Sequence, residues 1–273
     1  MKPWLLLLLT LFAGGVAAAD LTRYQAEVSG RITIGPEGQV LDVEFEQADW
    51  MAEAVRQGYE GKIRAWRFEP VLEDGRAITA SARMQLRLAA VRNDTDKTAS
   101  FVIEHASFPD PAPLADEAAA KLTDGIRRRP RYPASAAQNG VGAIVLLVAR
   151  LDAEGKPEAL AVEQLLLTGP DPGKSATLFA NQFEKQTLAA ARHWRLVPPE
   201  GTDVVRIPVR FLAPGASSRR AGWEAVYPVG RERPAWLDAL RGEGKVVLDL
   251  SEDGRADAPG LKLLTPLDAS LGG

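Results

Sequence analysis

The chain has no cysteine and only two histidines among its 273 residues. Without cysteine, disulfides cannot hold the fold together, and a lipid-modified N-terminal cysteine is excluded. His105 and His193 are far apart in sequence, and no cysteine or carboxylate pair stands at metal-ligand spacing beside them. We therefore expect no metal. The net charge of −3 gives no electrostatic reason to expect a nucleic-acid partner.

Motifs for catalysis are also lacking. No Gly-x-Ser-x-Gly elbow is present, so a hydrolase triad has no anchor. The stretch from Gly169 to Ser175 lies where a phosphate-binding loop would lie, but it has three residues between its glycines instead of four. Pro170 and Pro172 also lack the N–H groups that hold phosphate. We expect no catalytic residues, no cofactor and no small-molecule substrate.

Long apolar runs are absent after the N-terminus. Lys2 is followed by an apolar run over residues 5–12, and Ala17 and Ala19 supply the small residues that a signal peptidase reads. The run is shorter than the ~20 residues of a spanning helix. This pattern predicts a cleaved signal peptide over residues 1–19 and a periplasmic protein. The alternative is an uncleaved segment that anchors the chain in the inner membrane.

An internal repeat is the main feature that is present. Residues 66–70, Trp-Arg-Phe-Glu-Pro, recur at 194–198 as Trp-Arg-Leu-Val-Pro. Each motif follows a helix-like apolar stripe, and each stripe follows a hairpin-like pair of segments with a Gly-containing turn. The stripes are formed by Met51, Val55, Tyr59 and Ile63, and by Phe179, Phe183, Leu188 and Ala191. Because each tryptophan ends an amphipathic helix, we expect Trp66 and Trp194 to be buried.

This order of elements resembles the C-terminal domain of the TonB family. The second copy, from Arg131 to Leu212, carries the fuller pattern, and the first copy, from Val28 to Leu88, lacks the Tyr-Pro opening. The motif residues that carry the resemblance are Trp66, Pro70, Tyr132, Pro133, Trp194 and Pro198. The resemblance implies an α+β fold of repeated small units, each an antiparallel sheet of three to four strands with one helix packed across it.

The repeat also predicts the domain organisation. A diverged TonB C-terminal-like domain spans residues 20–107, and a Pro/Ala-rich linker spans 108–125. The second TonB C-terminal-like domain spans 126–228. Residues 229–273 form a truncated third repeat or tail, which would dock on the second copy or stay poorly ordered.

The resemblance further implies a partner, because the family pairs an edge strand with a short segment of an outer-membrane receptor. We expect the binding strand to be 204–212, with Arg206 and Arg210 facing outward. The predicted binding residues are Val205, Arg206, Ile207, Val209, Arg210 and Phe211. The competing hypothesis is that Trp223 to Tyr227 pairs with this strand and hides its edge.

The sequence thus predicts a non-enzymatic periplasmic module that binds an envelope protein, such as a TonB-dependent outer-membrane receptor. Two alternatives stay open. One is an energy transducer anchored in the inner membrane, although the chain lacks a long spacer able to cross the periplasm. The other is an envelope module that binds peptidoglycan through basic clusters such as Arg127–Arg129.

Overall fold

The computed structural model describes residues 21–93, 97–108, 128–196, 203–216, 222–232, 234–242, 248–249 and 261–267. The strands are β1 (Leu21–Ile34), β2 (Val40–Phe45), β3 (Leu72–Glu73), β4 (Arg76–Ala77), β5 (Ala80–Asn93), β6 (Thr98–Ser107), β7 (Gly142–Leu151), β8 (Pro157–Thr168), β9 (Val204–Phe211), β10 (Glu224–Pro228) and β11 (Leu248–Asp249). The α-helices are α1 (Glu53–Arg64), α2 (Ala134–Gln138), α3 (Ala176–Ala191) and α4 (Ala235–Gly242). A 3₁₀ turn over Gly173–Ser175 precedes α3.

Nine of these strands form one sheet. Its order is β11-β9-β7-β8-β10-β1-β5-β6, with β2 added beside β1, and β3 and β4 form a separate hairpin. Every described pair is antiparallel except β11 with β9. The predicted α+β class with an antiparallel sheet is therefore confirmed. The strands of the two predicted domains nevertheless belong to a single sheet and do not form two separate ones.

The short strand β10 joins two halves of this sheet. The first half contains β1, β2, β5 and β6, and the second half contains β7, β8, β9 and β11. Val226 of β10 pairs with Thr168 of β8 on one side and with Arg23 of β1 on the other. The hypothesis that this segment pairs with β9 is wrong, because β7 lies between β8 and β9. The position of β10 buries Val226 against Ile144 and Leu166. Its local pattern predicts a strand but cannot tell which edge the strand joins.

The first hydrophobic core lies between α1 and the sheet strands β1, β2 and β5. The predicted helical stripe is confirmed where it meets the sheet, since Tyr59 and Ile63 of α1 are buried. The Tyr59 hydroxyl donates to the Ala89 carbonyl oxygen, 3.1 Å away, which satisfies the buried phenol. Phe108, at the start of the predicted linker, packs against Trp66 and Phe68 with ring centroids 6.1 and 5.0 Å apart.

The second core lies between α3 and strands β7, β8 and β9. Phe179 and Phe183 of α3 pack against alternate residues of β7 such as Val145 and Leu147. The other face of β7 is covered locally by α4, whose Leu237 packs with Val148. Coverage of both faces explains why β7 is apolar at consecutive positions instead of alternating.

Candidate functional site

Strand β9 is the predicted binding strand, and its backbone is paired on one side along its whole length. β7 pairs with it from Ala143 opposite Phe211 to Arg150 opposite Val204. On the other side β11 pairs in parallel only with Val205 and Arg206. Within the described part of the chain, residues 207–211 pair with β7 alone. This stretch is therefore the candidate site for an added strand.

The predicted binding side chains of β9 divide between the two faces of the sheet. Val205, Ile207 and Phe211 are buried in the second core, and Val209 packs at its margin. These side chains fix β9 to the second core, and they cannot contact a partner unless that core unfolds. Any partner at this edge would therefore be held mainly by backbone hydrogen bonds.

The two arginines of β9 lie on the sheet face away from the second core, but both are half-buried and paired with carboxylates of the chain. Arg206 Nε donates to Glu163 Oε2 at 2.6 Å, and the Glu163 side chain is only 7% exposed. Arg210 Nη2 donates to Glu27 Oε1 at 2.8 Å, and its Nη1 lies 3.8 Å from Glu224 Oε2. Both guanidinium groups are neutralised within the chain, because buried or half-buried charges need such partners. They are not a ready site for an acidic segment.

The contact between Arg210 and Glu27 also shows that the sheet is curled. β9 and β1 are four strand positions apart in the sheet order. In a flat sheet that separation is about 19 Å, too far for two side chains to bridge. The 2.8 Å contact requires the sheet to bend toward this face, opposite α1 and α3. The bend brings Arg210 of the second half within ion-pair distance of Glu27 in the first half.

The two Trp motifs are held in the same way. Trp66 and Trp194 are 5% and 2% exposed, as their position after each helical stripe predicts. The backbone N–H of Phe68 donates to the Gly38 carbonyl oxygen, and that of Leu196 donates to the Gly155 carbonyl oxygen, both at 2.8 Å. Each motif is therefore clamped to the hairpin turn of its own half.

The turn glycines make this contact possible, and the sequence predicts glycine-containing turns at both places but not their contact with the Trp motifs. Gly38 and Gly155 both have φ of 76°, in the left-handed region that favours glycine. A Cβ atom at Gly38 would lie 1.9 Å from the Phe68 carbonyl oxygen, and one at Gly155 would lie 1.7 Å from that of Leu196. The signal in the sequence is a glycine at the fourth position of both turns, which indicates a left-handed backbone there.

The remaining motif residues have structural positions. The Tyr132 hydroxyl donates to the Val141 carbonyl oxygen at 2.7 Å, and its ring packs edge-on against Phe183. Burial raises the pKa of Tyr132 above its ordinary value. Pro133 is buried where α2 begins, and Pro70 is exposed. Pro198 and most of the predicted linker lie outside the described residues.

The predicted third repeat contacts both halves. Leu248 and Asp249 lie beside β9 in the second half, as docking on the second copy predicts. Leu263, by contrast, pairs with Phe68 in the first half. A segment far along the chain thus lies on the edge of the first Trp motif.

The described ranges contain no group of three or more His, Asp or Glu side chains placed to hold a metal ion. None of the helices in those ranges is both long and apolar enough to cross a membrane. Comparison of the chain with protein-family models, with curated proteins and with solved structures finds no match.

Proposed function

We propose that this chain is a non-enzymatic periplasmic module, built from two diverged repeats that resemble the TonB C-terminal domain, and that it binds extended segments of envelope proteins. The binding site is the outer edge of β9, and a TonB-dependent outer-membrane receptor is the kind of partner that the resemblance implies. The observation that best supports this proposal is the pairing of β11 with Val205 and Arg206, because it shows that this edge accepts an added strand.

The repeat is supported by equivalent contacts in the two halves. In both, a turn glycine with φ of 76° receives a hydrogen bond from the residue two positions after the motif tryptophan. In both, the tryptophan N–H donates to the residue three positions before it, at 3.0 Å. The shared turn, hydrogen bond and helix end support the proposal that the two halves are diverged repeats.

The nature of the partner follows from what β9 offers. Its apolar side chains are used by the core, and Arg206 and Arg210 are already paired with carboxylates. Recognition therefore rests on main-chain hydrogen bonds, which accept many sequences, together with contacts at the exposed end of the strand. Leu212, 41% exposed, is the side chain best placed to add such contacts.

Photo-crosslinking in the native envelope tests this proposal. A photoreactive amino acid replaces Leu212 beside β9 in one variant and Leu178 on α3 in the matched control, which is 56% exposed. We expect Leu212 to give an adduct with a defined envelope protein and Leu178 to give none with that protein. Equal adducts from both positions, or none from Leu212, would contradict binding at this edge.

Two further measurements separate the alternatives. N-terminal sequencing of the purified protein should begin at Asp20 if the signal is cleaved. Retention of Met1 would instead favour the anchored transducer. Sedimentation with isolated cell walls should leave the protein in solution, and its appearance in the pellet would favour peptidoglycan binding.

A further inference from the structure

The edge of the first Trp motif holds an extended segment from the C-terminal part of the chain. Leu263 pairs antiparallel with Phe68. The Glu69 N–H donates to the Lys262 carbonyl oxygen at 2.9 Å, and the Leu264 N–H donates to the Arg67 carbonyl oxygen at 2.8 Å. Residues 67–69 therefore lie between the hairpin turn on one side and this segment on the other.

The side chains of the segment alternate between the protein and solvent. Leu261, Leu263 and Leu267 are half-buried and pack against the first core. Leu264 points away and is 56% exposed. The Lys262 Nζ lies 2.7 Å from Glu69 Oε2, in an ion pair with both side chains more than half exposed. A period of two is the pattern of a strand laid on an existing surface.

The largest fully buried side chains of the first core belong to the motif, α1 and the sheet strands. They include Ile32, Ile63, Phe68, Met84 and Leu88, and none of the segment's leucines. The segment therefore covers the surface of a core that is built from other residues. Its removal would uncover that surface without deleting a fully buried side chain.

One contact is specific to the residue type. The Arg67 N–H donates to Thr265 Oγ1 at 2.8 Å, so a side-chain hydroxyl takes the place of a strand carbonyl. Pro266 comes next and has no N–H to continue the ladder. The occupant is thus an extended run with leucines at alternate positions, followed by threonine and proline.

We infer that the edge at Arg67–Glu69 is a second peptide-binding site, that Leu261–Leu267 occupies it in cis, and that an external segment of the same pattern competes for it. The main-chain hydrogen bonds and the leucine packing are contacts that an external strand can reproduce, and a threonine and a lysine at the same positions would reproduce the two side-chain contacts. The tethered segment acts at an effective concentration on the order of mM, so it excludes weak competitors. The site lies in the first half and does not depend on binding at β9.

The test uses the full mature chain with the variant Leu263→Glu, which puts a charge against the first core. Leu264→Glu is the matched control, because that side chain points to solvent. Hydrogen exchange of the Glu69 amide reports whether the segment is in place. We expect Leu263→Glu to raise this exchange rate by about tenfold or more, as loss of a hydrogen bond and its packing implies, and Leu264→Glu to leave it nearly unchanged.

A labelled synthetic peptide of residues 260–268 is then added. We expect it to bind the Leu263→Glu variant about tenfold or more tighter than the wild-type chain, and to restore the protection of the Glu69 amide. The same peptide carrying Leu263→Glu should do neither. Unchanged circular dichroism shows that the variant is folded. Two results would overturn the inference. One is a Glu69 amide that exchanges as slowly in the Leu263→Glu protein as in the wild-type protein. The other is a Glu69 amide that exchanges fast in the Leu263→Glu protein and is not slowed by the wild-type peptide.

Discussion

Replacement of Gly155 by alanine is the sharpest test of the clamp between hairpin turn and Trp motif. The residue has φ of 76°, and its carbonyl oxygen accepts the Leu196 N–H at 2.8 Å. An added Cβ would lie 1.7 Å from the Leu196 carbonyl oxygen, a distance that real structures do not allow. The turn must move away from the motif, and the hydrogen bond must lengthen or break.

The magnitude has two parts. Placing an alanine in the left-handed region costs about 1–2 kcal/mol. The steric conflict adds roughly 1–3 kcal/mol, as overpacking usually does, because backbone atoms and not a flexible side chain must shift. Gly140→Ala carries only the first part, since Gly140 has φ of 66° and an added Cβ there meets no atom within 4 Å.

Urea unfolding and thermal melting of both variants measure the difference. We expect Gly155→Ala to lose about 1–3 kcal/mol more than Gly140→Ala. That excess corresponds to a melting point lower by roughly 2–12 °C, at about 2–4 °C per kcal/mol for a chain of this size. Equal losses in the two variants would refute the close contact between the turn and residue 196, and with it the clamp as a determinant of the fold.

Three other perturbations distinguish parts of the structure. Trp194→Ala should cost about 3–5 kcal/mol in urea unfolding, because the indole is 2% exposed and its N–H donates to the Arg128 carbonyl oxygen at 2.9 Å; a loss below about 1 kcal/mol would place the indole outside the core. Arg23→Met should cost about 3–5 kcal/mol, because it leaves Glu104 buried without its ion-pair partner. Arg210→Met should cost about 1 kcal/mol or less, because its nearer partner Glu27 is 53% exposed and its second partner Glu224 lies 3.8 Å away. Similar costs in urea unfolding would contradict the difference in burial. The raised pKa of Tyr132 means that the folded state favours the neutral phenol, so stability is complete below the ordinary pKa of about 10 and falls as pH rises through the folded value. Tyr132→Phe should reduce this alkaline loss when urea midpoints at about pH 8 and about pH 10.5 are compared, and an unchanged loss would assign it to other groups.

Local pattern predicts much of the fold. The hairpins and the helices before each Trp motif were readable from spacing, because each feature depends on residues that are close together in the sequence. The apolar run over 144–148 is typical of a strand covered on both faces, and that is its position in β7. Burial of both motif tryptophans followed from the same helical stripes.

Long-range pairing was not readable in this way. Nothing in the alternation of Arg206 and Arg210 shows that Glu163 and Glu27 lie opposite them, because Glu27 is brought close only by the curl of the whole sheet. The choice between edges for β10 depends on which strands are left unpaired by the rest of the fold. The segment around Leu263 reads locally as a strand, but its acceptor at Phe68 is nearly two hundred residues away.

The three long-range pairings share one physical cause. β10 joins the edges of β8 and β1, β11 covers the start of β9, and Leu263 covers Phe68. In each case a short segment from late in the chain satisfies backbone groups at an edge that would otherwise invite pairing with another molecule. These edges accept strands that are remote in sequence, so their backbone groups are oriented for strand addition. Within the described residues, β11 pairs with only two residues of β9, and the run that covers Phe68 is only half-buried. We therefore propose that a partner strand competes at these two edges. β10 is not proposed as such a position, because it is paired on both sides and its Val226 is buried.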